Sequence, residues 1–436
     1  MSAIVTSKFR IHNSQQFVEA FSEPSPTAIY MFIGRPQAWP VDTEPPTPVD
    51  SVQDEFNYWH DMMAMKKIQS SDVTNAAIRR NWTSGVVYDQ YRSDYSVSNP
   101  ANSGATNLVD ATFFVVTSDY NVYKCLFNNS NAASTIMPTG TSTSVITTSD
   151  GYKWKFMFNI SPSDISKFVT TDFIPVQTNS AVAAAAVDGA IDVALVTNAG
   201  SGYTSATATI VGDGTGATAD VVVSGGGVTA INITNRGSGY TYATISISGD
   251  GTNAAGIPVI SPQGGHGSDA VEELNAFYVI MNTRLEYADG SGDFVVNNDY
   301  RRIGLIRDPF NYGTTTIASA ATLSAAKTIT LNSGVTGSFS SDELITGATS
   351  GAQARVIDWN SSTRVLKYYQ TSAENFKAFQ TSETITGSTS GAFGTSSALG
   401  NPEVQPTSGD IIYVEQRRPI IRAADQVESI SLIVEF

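Results

Sequence analysis

Charge, sulfur and imidazole are all scarce in this chain. Of 436 residues, 15% are Asp, Glu, Lys or Arg, one is cysteine and three are histidine. The single cysteine, Cys125, excludes an intrachain disulfide and a fold stapled by oxidation. Inside Tyr123-Lys124-Cys125-Leu126-Phe127 it reads as a small buried hydrophobe, not a nucleophile. His12, His60 and His266 share no ligand spacing, and a zinc site needs a full set of nitrogen, sulfur or carboxylate ligands. No metal and no cofactor is therefore expected. No apolar run reaches the ~18 residues of a membrane span. The opening Met1-Ser2-Ala3-Ile4-Val5-Thr6 lacks a basic segment leading into an apolar one. Neither membrane insertion nor a secretory leader is expected, and the chain reads as made and kept in a cytoplasm. The net charge is −15 and arginines occur at most in pairs, so no basic patch is available for nucleic acid.

What fills the space is small and polar, with 35 glycines among many Ala, Ser and Thr residues. Apolar residues still make up 41%, enough for real cores, and the length points to two to four domains. Two internal duplications organise the chain. Val196-Thr197-Asn198-Ala199-Gly200-Ser201-Gly202-Tyr203-Thr204 recurs 37 residues later as Ile233-Thr234-Asn235-Arg236-Gly237-Ser238-Gly239-Tyr240-Thr241, and Gly212-Asp213-Gly214-Thr215 recurs as Gly249-Asp250-Gly251-Thr252. At an offset of 40, Glu343-Leu344-Ile345-Thr346-Gly347 and Ser350-Gly351-Ala352 recur as Glu383-Thr384-Ile385-Thr386-Gly387 and Ser390-Gly391-Ala392. The expected fold is mainly β and multidomain. A β-sandwich-like host domain is formed by N- and C-terminal segments, with inserted small glycine-rich β-modules and few short helices. The host comprises residues 1–180, a return at 261–316 and closing strands at 399–436. The inserts are 181–260 and 317–398.

Locally, residues 27–35 read as a strand ending at Gly34, and Pro36, Pro40, Pro45, Pro46 and Pro48 enforce an irregular surface segment. Residues 52–65 are the best helix, capped by Asp50 or Ser51, with Phe56, Trp59 and Met63 on one face. Residues 112–116 and 121–127 form a hairpin across a four-residue turn. In 151–158, Tyr152, Trp154, Phe156 and Phe158 share one face and the lysines the other. Each half of the first duplication reads as strand, glycine turn, strand, Gly-Asp-Gly turn, strand, with Asp-Gly supplying positive φ. Residues 264–274 are a glycine turn leading to a short helix or loop. The chain closes in an alternating strand, 427–436.

The search for chemistry returns little. The Gly212-Asp213-Gly214-Thr215-Gly216 run has no long helix after it, so the dinucleotide reading fails. The Gly-Asp-Gly-Thr turns carry one aspartate each, and hairpin turns are favoured over calcium loops. His60 reads as a packed histidine. His266, flanked by glycines, is a structural turn or a group that binds phosphate or orients a nucleophile. No carboxylate pair stands out for glycoside cleavage. Arg79, Arg80 and Trp82 combine bidentate charge with an aromatic anchor, as interface hot spots do. Arg417, Arg418 and Pro419 adjoin a strand end. Both groups, with Trp59, are candidate interface residues, against internal packing as the alternative.

Several of these segments resemble a known family. The start Ala3-Ile4-Val5-Thr6-Ser7-Lys8-Phe9-Arg10, Phe32-Ile33-Gly34-Arg35 with Trp39, Trp59-His60-Asp61-Met62-Met63, Ile78-Arg79-Arg80-Asn81-Trp82 and Asp150-Gly151-Tyr152-Lys153-Trp154-Lys155-Phe156 are similar to a baseplate wedge subunit of T4-like contractile-tailed bacteriophages. So are Ile412-Tyr413-Val414-Glu415-Gln416-Arg417-Arg418-Pro419-Ile420 and the closing Ile433-Val434-Glu435-Phe436. The middle of the chain departs from the family. The resemblance implies a β-rich homodimer without catalytic activity, cofactor, nucleic acid or membrane insertion. It would sit in the virion tail baseplate, assembled in the host cytoplasm. It would contact other wedge proteins and fibre-attachment proteins and help couple host attachment to sheath contraction. The alternative is a fibre-attachment or host-glycan-binding virion protein, with the repeat modules touching glycan.

Overall fold

A computed structural model of the chain describes residues 4–23, 27–287, 289 and 292–436. Residues 1–3, which begin the segment read for a leader and the first family-like motif, lie outside the described residues. The architecture is mainly β and multidomain, with several sheets, a closed barrel and few short helices. The chain divides into two compact units, one of residues 1–18, 74–280 and 433–436, the other of 19–73 and 281–432.

In the first unit, the strands Phe114–Val116, Asn121–Phe127, Lys153–Asn159 and Ile146–Thr147 form a four-stranded antiparallel sheet. The first two make the expected hairpin, with Tyr120 taking the left-handed conformation (φ 56°) in its turn. The expected alternation in 151–158 holds through Phe156 and then breaks. The register slips between Val122 and Tyr123, so Val122 faces Phe158 while Tyr123 faces Phe156. This irregularity places Tyr152, Trp154 and Phe156 in one core and Met157 with Phe158 in another. Lys155, expected on an outer face, is buried because both faces of this sheet are covered.

The duplicated residues 191–260 form a six-stranded sheet. Each repeat contributes three strands: Ile191–Ser201, Ala206–Gly212 and Thr215–Ser224, then Gly227–Ser238, Ala243–Gly249 and Thr252–Ile260. The sheet rolls on itself, since Ala194 on one edge strand meets Val228 and Ile231 on the other in a common core. A pseudo-twofold axis runs through its centre, where Thr209 pairs with Ser246, the residue equivalent to it in the second repeat. The third strand of each repeat pairs with the first strand of the other: Thr215 with Ser238, and Thr252 with Ser201.

The Gly-Asp-Gly turns differ from expectation. Neither Asp213-Gly214 nor Asp250-Gly251 adopts positive φ; the left-handed glycines of the module are Gly200, Gly202, Gly216, Gly225, Gly226, Gly237 and Gly239, and Asn253, equivalent to Gly216, is left-handed too. Glycine is required in the Gly-Asp-Gly turns by close approach. A Cβ on Gly214 would collide with the Tyr240 ring and lie 2.6 Å from Ser238 O; one on Gly251 would do the same to Tyr203 and Ser201 O. The aspartates cap the other repeat. Asp213 accepts from Thr241 N (2.9 Å), Tyr242 N (3.2 Å) and the Thr241 hydroxyl, and Asp250 from Thr204 N (3.0 Å), Ser205 N (3.1 Å) and the Thr204 hydroxyl.

In the second unit, a five-stranded sheet runs in the order Thr322–Ser324, Met62–Lys67, Ile29–Gly34, Asp299–Arg307, Asp410–Ile421. Ile29–Gly34 is central and buried throughout, as its uninterrupted apolar run requires. The expected helix is shorter than 52–65. It spans Val52–His60, with Ser51 as the cap accepting from Asp54 N, and the chain turns at Asp61 into the strand Met62–Lys67. Burying Met62, Met63, Ala64 and Met65 beside the central strand outweighs their helix propensity. Met63 therefore never joins the helix face, Trp59 turns into the core, and Phe56 turns outward. A further helix, Ser7–Glu19, which belongs to the first unit up to Val18, buries only Ile11 and Ser14 and carries almost no hydrophobic periodicity for a sequence reading to find.

The second duplication closes into a six-stranded barrel of the strands Lys327–Leu331, Val365–Tyr369, Gln353–Asn360, Leu344–Gly347, Thr384–Gly387 and Phe393–Gly400. It repeats the logic of the first. Thr346 pairs with its equivalent Thr386 on a pseudo-twofold axis. Glu343 accepts from Ser340 N (2.6 Å), Thr389 N (3.0 Å), Ser390 N (2.9 Å) and Ser390 Oγ (2.7 Å). Glu383 accepts from Gln380 N (2.6 Å), Thr349 N (3.0 Å), Ser350 N (2.8 Å) and Ser350 Oγ (2.9 Å). Each buried carboxylate thus ties its own strand to the turn of the opposite repeat.

Candidate interface surfaces and the buried charge cluster

The residues singled out for contact fall into three settings. Arg79 is tied internally, its guanidinium donating to Asn81 Oδ1 (2.9 Å) and Thr170 O (2.8 Å). Arg80 donates to Ala111 O and lies 5.2 Å over the Phe114 ring. Burial pulls its pKa down, while Asp89 and Asp110 push it up less strongly. Trp82 is half-buried against the Trp154 core, with Nε1 donating to Ser134 Oγ (3.1 Å). Trp59 is 5% exposed and belongs to the core of its own unit. Arg417 pairs with Glu415, and the exposed Arg418 donates to Thr43 O (3.2 Å). Pro419 is half-buried within the strand Asp410–Ile421. Arg422, the last arginine of this run, is fully buried instead. It pairs with Glu428 (2.6 Å) and donates to the carbonyls of Leu285, Phe294 and Val295.

Around these residues are two surface hollows. In the first unit, Arg80 borders a groove of about 380 Å³ whose walls include Phe114, Phe277, Tyr278 and the exposed Ile78. Arg10 lies 3.8 Å over the Phe277 ring at the same groove and pairs with Glu435. Aromatic walls flanked by arginines are the composition of contact centres. In the second unit, Asp410–Ile421 is the outermost strand of its sheet. The proline segment covers its second half, with Trp39 Nε1 donating to Arg417 O (2.8 Å). The first half, Ile411–Val414, instead lines an open groove of about 330 Å³ with Val49 and Tyr58. Ile412, which lines it, is 42% exposed, and Val52 (72%) and Phe56 (43%), which follow its lining residues Ser51 and Glu55 on the helix, are exposed too. A partly bare strand edge next to exposed apolar side chains is a docking feature, since monomers normally cover both. Sequence reasoning missed this patch. The usable signal was Val52 and Phe56, four apart and opposite Tyr58 and Trp59, which gives the helix an apolar residue pair on each side.

His266 is 4% exposed and stands edge-on to Tyr91 at 4.9 Å. Burial first, then Lys124, Lys155 and Arg236, drive its pKa well down, so it is neutral. Its neighbours Lys124 and Glu273 form a buried ion pair, and Glu273 also accepts from Gly267 N (2.6 Å). The cluster fixes the glycine turn above the short helix Ala270–Glu273, which Asp269 caps. A neutral, enclosed imidazole cannot take up a phosphate, and the structural-turn reading is the one its geometry fits. Cys125 is fully buried, and burial pushes its thiol pKa well up. Among the described residues, no group of three or more His, Cys, Asp or Glu is arranged to hold a metal. No described helix is long and apolar enough to cross a membrane.

What these features define is a β-rich chain of duplicated modules with surfaces suited to protein contact. Residues 3–135 match the protein family described as Phage-Gp8, Bacteriophage T4 Gp8. The match covers less than a third of the chain, and the remainder, including both duplications and the C-terminal motifs, is unassigned. No curated protein matches the chain. The similarity supports a structural phage baseplate role in general terms.

Proposed function

We propose that the chain is a structural, non-enzymatic component of a contractile phage tail baseplate wedge. The match of residues 3–135 to the Gp8 family carries this reading. The chain joins a second copy of itself and neighbouring wedge and fibre-attachment proteins, and helps couple host attachment to sheath contraction. The groove beside Ile411–Val414 suits the second copy, because a strand edge can pair antiparallel with the same edge of a twofold-related copy. The groove bordered by Arg80 and Arg10 suits a neighbouring wedge protein, and Arg79 and Trp82, on the same segment as Arg80, are proposed to belong to that contact. Arg417, Arg418 and Pro419 lie along the covered half of the strand edge and would bound the dimer contact. The test is mass photometry of the full chain with and without Val52→Asp and Phe56→Asp. A dimer that both substitutions convert to monomer is expected. A monomeric parent, or a dimer indifferent to both, contradicts the assignment of this surface.

A further inference from the structure

A second hollow in the first unit, of about 590 Å³, shares no lining residue with the groove bordered by Arg80. Its volume falls within the range of ligand pockets, whose usual makeup is an apolar lining with a few polar groups. Its lining is largely polar, with Val193, Leu195 and Ile231 of the duplicated module among its apolar members. Two aromatic rings, Tyr95 and Phe127, border it, and the Tyr95 hydroxyl is held by Gln90 O (2.7 Å), which fixes its ring.

The polar groups facing the hollow are mainly amides. Asn102 and Asn232 line it, and among the described residues their side chains have no hydrogen-bond partner. An amide offers a donor pair and an acceptor side by side, which matches adjacent hydroxyls. Two cations also line it, and they differ. Arg92 is neutralised by a two-pronged contact with Asp94 (2.8 and 2.6 Å). Lys153 has no ion-pair partner among the described residues, and it stands 5.9 Å from the Phe127 ring. Burial lowers its pKa, consistent with a half-enclosed ammonium that lacks a counter-ion.

The rim is strained. Asn129, Ser130 and Asn131 all take the left-handed conformation (φ 50°, 57° and 65°), a run that L-residues rarely adopt. Asn128 holds it, its Nδ2 donating to Asn131 Oδ1 (2.8 Å) and its Oδ1 accepting from Asn131 N (3.1 Å). The turn sets Ser130 and Asn131 at the edge of the hollow. Strain of this kind persists where the surroundings over-determine it, often at ligand clamps.

We propose that this hollow binds a sugar unit carrying one acidic substituent. The amides take its hydroxyls, the apolar and aromatic side chains bordering the hollow take its C–H surface, and Lys153 takes the carboxylate. The site is independent of the wedge assignment and places a saccharide contact beside the duplicated module.

The test uses the purified full chain with glucuronic acid, N-acetylneuraminic acid and glucose as probes. Binding is read by saturation-transfer NMR and titration calorimetry. At least one acidic sugar is expected to bind tenfold or more tighter than glucose. Lys153→Met should remove that preference. Asn232→Asp, a change at an exposed lining residue of the duplicated module, should weaken the acidic sugar tenfold or more by repulsion. Should Lys153→Met fail to fold, Asn232→Asp alone decides the outcome. The proposal is overturned if no probe binds, if glucose binds as well as the acidic sugars, or if the folded variants bind as the parent does.

Discussion

Replacing Glu343 by glutamine tests the reciprocal latch of the barrel. The substitution preserves size but turns one acceptor oxygen into an NH₂ group facing N–H donors. With the NH₂ at the Oε2 position, the bonds from Thr389 N and Ser390 N are lost. Hydrogen bonds to a charged group contribute about 1.5 kcal/mol or more each, so the barrel loses about 3 kcal/mol. At about 1.4 kcal/mol per decade, amide protection drops roughly a hundredfold. Hydrogen exchange read by mass spectrometry on the full chain locates the effect. Protection should fall both around residues 340–347 and across the barrel axis around 384–392. Glu383→Gln should produce the mirror effect, extending to Thr349 and Ser350. A loss confined to the strand carrying the substitution would refute the reciprocal latch. The pH dependence has a definite sign. Burial pushes the Glu343 carboxyl up, but the bonds from Ser390, Ser340 and Thr389 outweigh it and hold the pKa below the ordinary value. A depressed folded pKa stabilises fully above the unfolded value, about 4.3, and this contribution is lost as pH falls through the folded value. The gap between parent and variant should therefore narrow below about pH 4.

Three more outcomes follow from the same geometry. Gly214→Ala or Gly251→Ala should each cost about 2 kcal/mol by forcing the facing tyrosine to move, seen as a lower melting temperature in calorimetry. Lys124→Met should destabilise the chain by roughly 3–5 kcal/mol by leaving Glu273 buried and unpaired, and Lys124→Met with Glu273→Gln should recover most of this in urea titrations. Asp213 and Asp250 are held down to about 2, first by the Thr241 and Thr204 hydroxyls and then by backbone N–H groups. Their contribution is complete above about pH 4 and disappears between there and about pH 2. Circular dichroism of the doubly amidated variant, Asp213→Asn with Asp250→Asn, should lack that acid limb.

The repeats were legible because duplication is a pattern within the chain, and the turn residues mark where strands end. Their mutual arrangement was not. Nothing in Gly-Asp-Gly-Thr announces that Asp213 caps Thr241 of the other repeat, since that pairing depends on which strands become neighbours. The same blindness made positive φ the natural explanation for glycines whose real constraint is a tyrosine ring in contact. The helix at Val52–His60 was visible from its cap and acidic first turn. Its end was not, because Met62–Met65 suits either a helix face or a buried strand, and only the central strand Ile29–Gly34 decides between them. Trp59 carried the composition of an interface anchor and went to the core. Val52 and Phe56, less conspicuous, became the exposed pair.

Cryo-electron microscopy of the intact contractile tail particle carrying this chain tests the central claim most directly. The account predicts density for the chain in the baseplate, in paired copies, with neighbouring wedge proteins against the groove bordered by Arg10 and Arg80. A chain found only outside the baseplate, or absent from the particle, would contradict it.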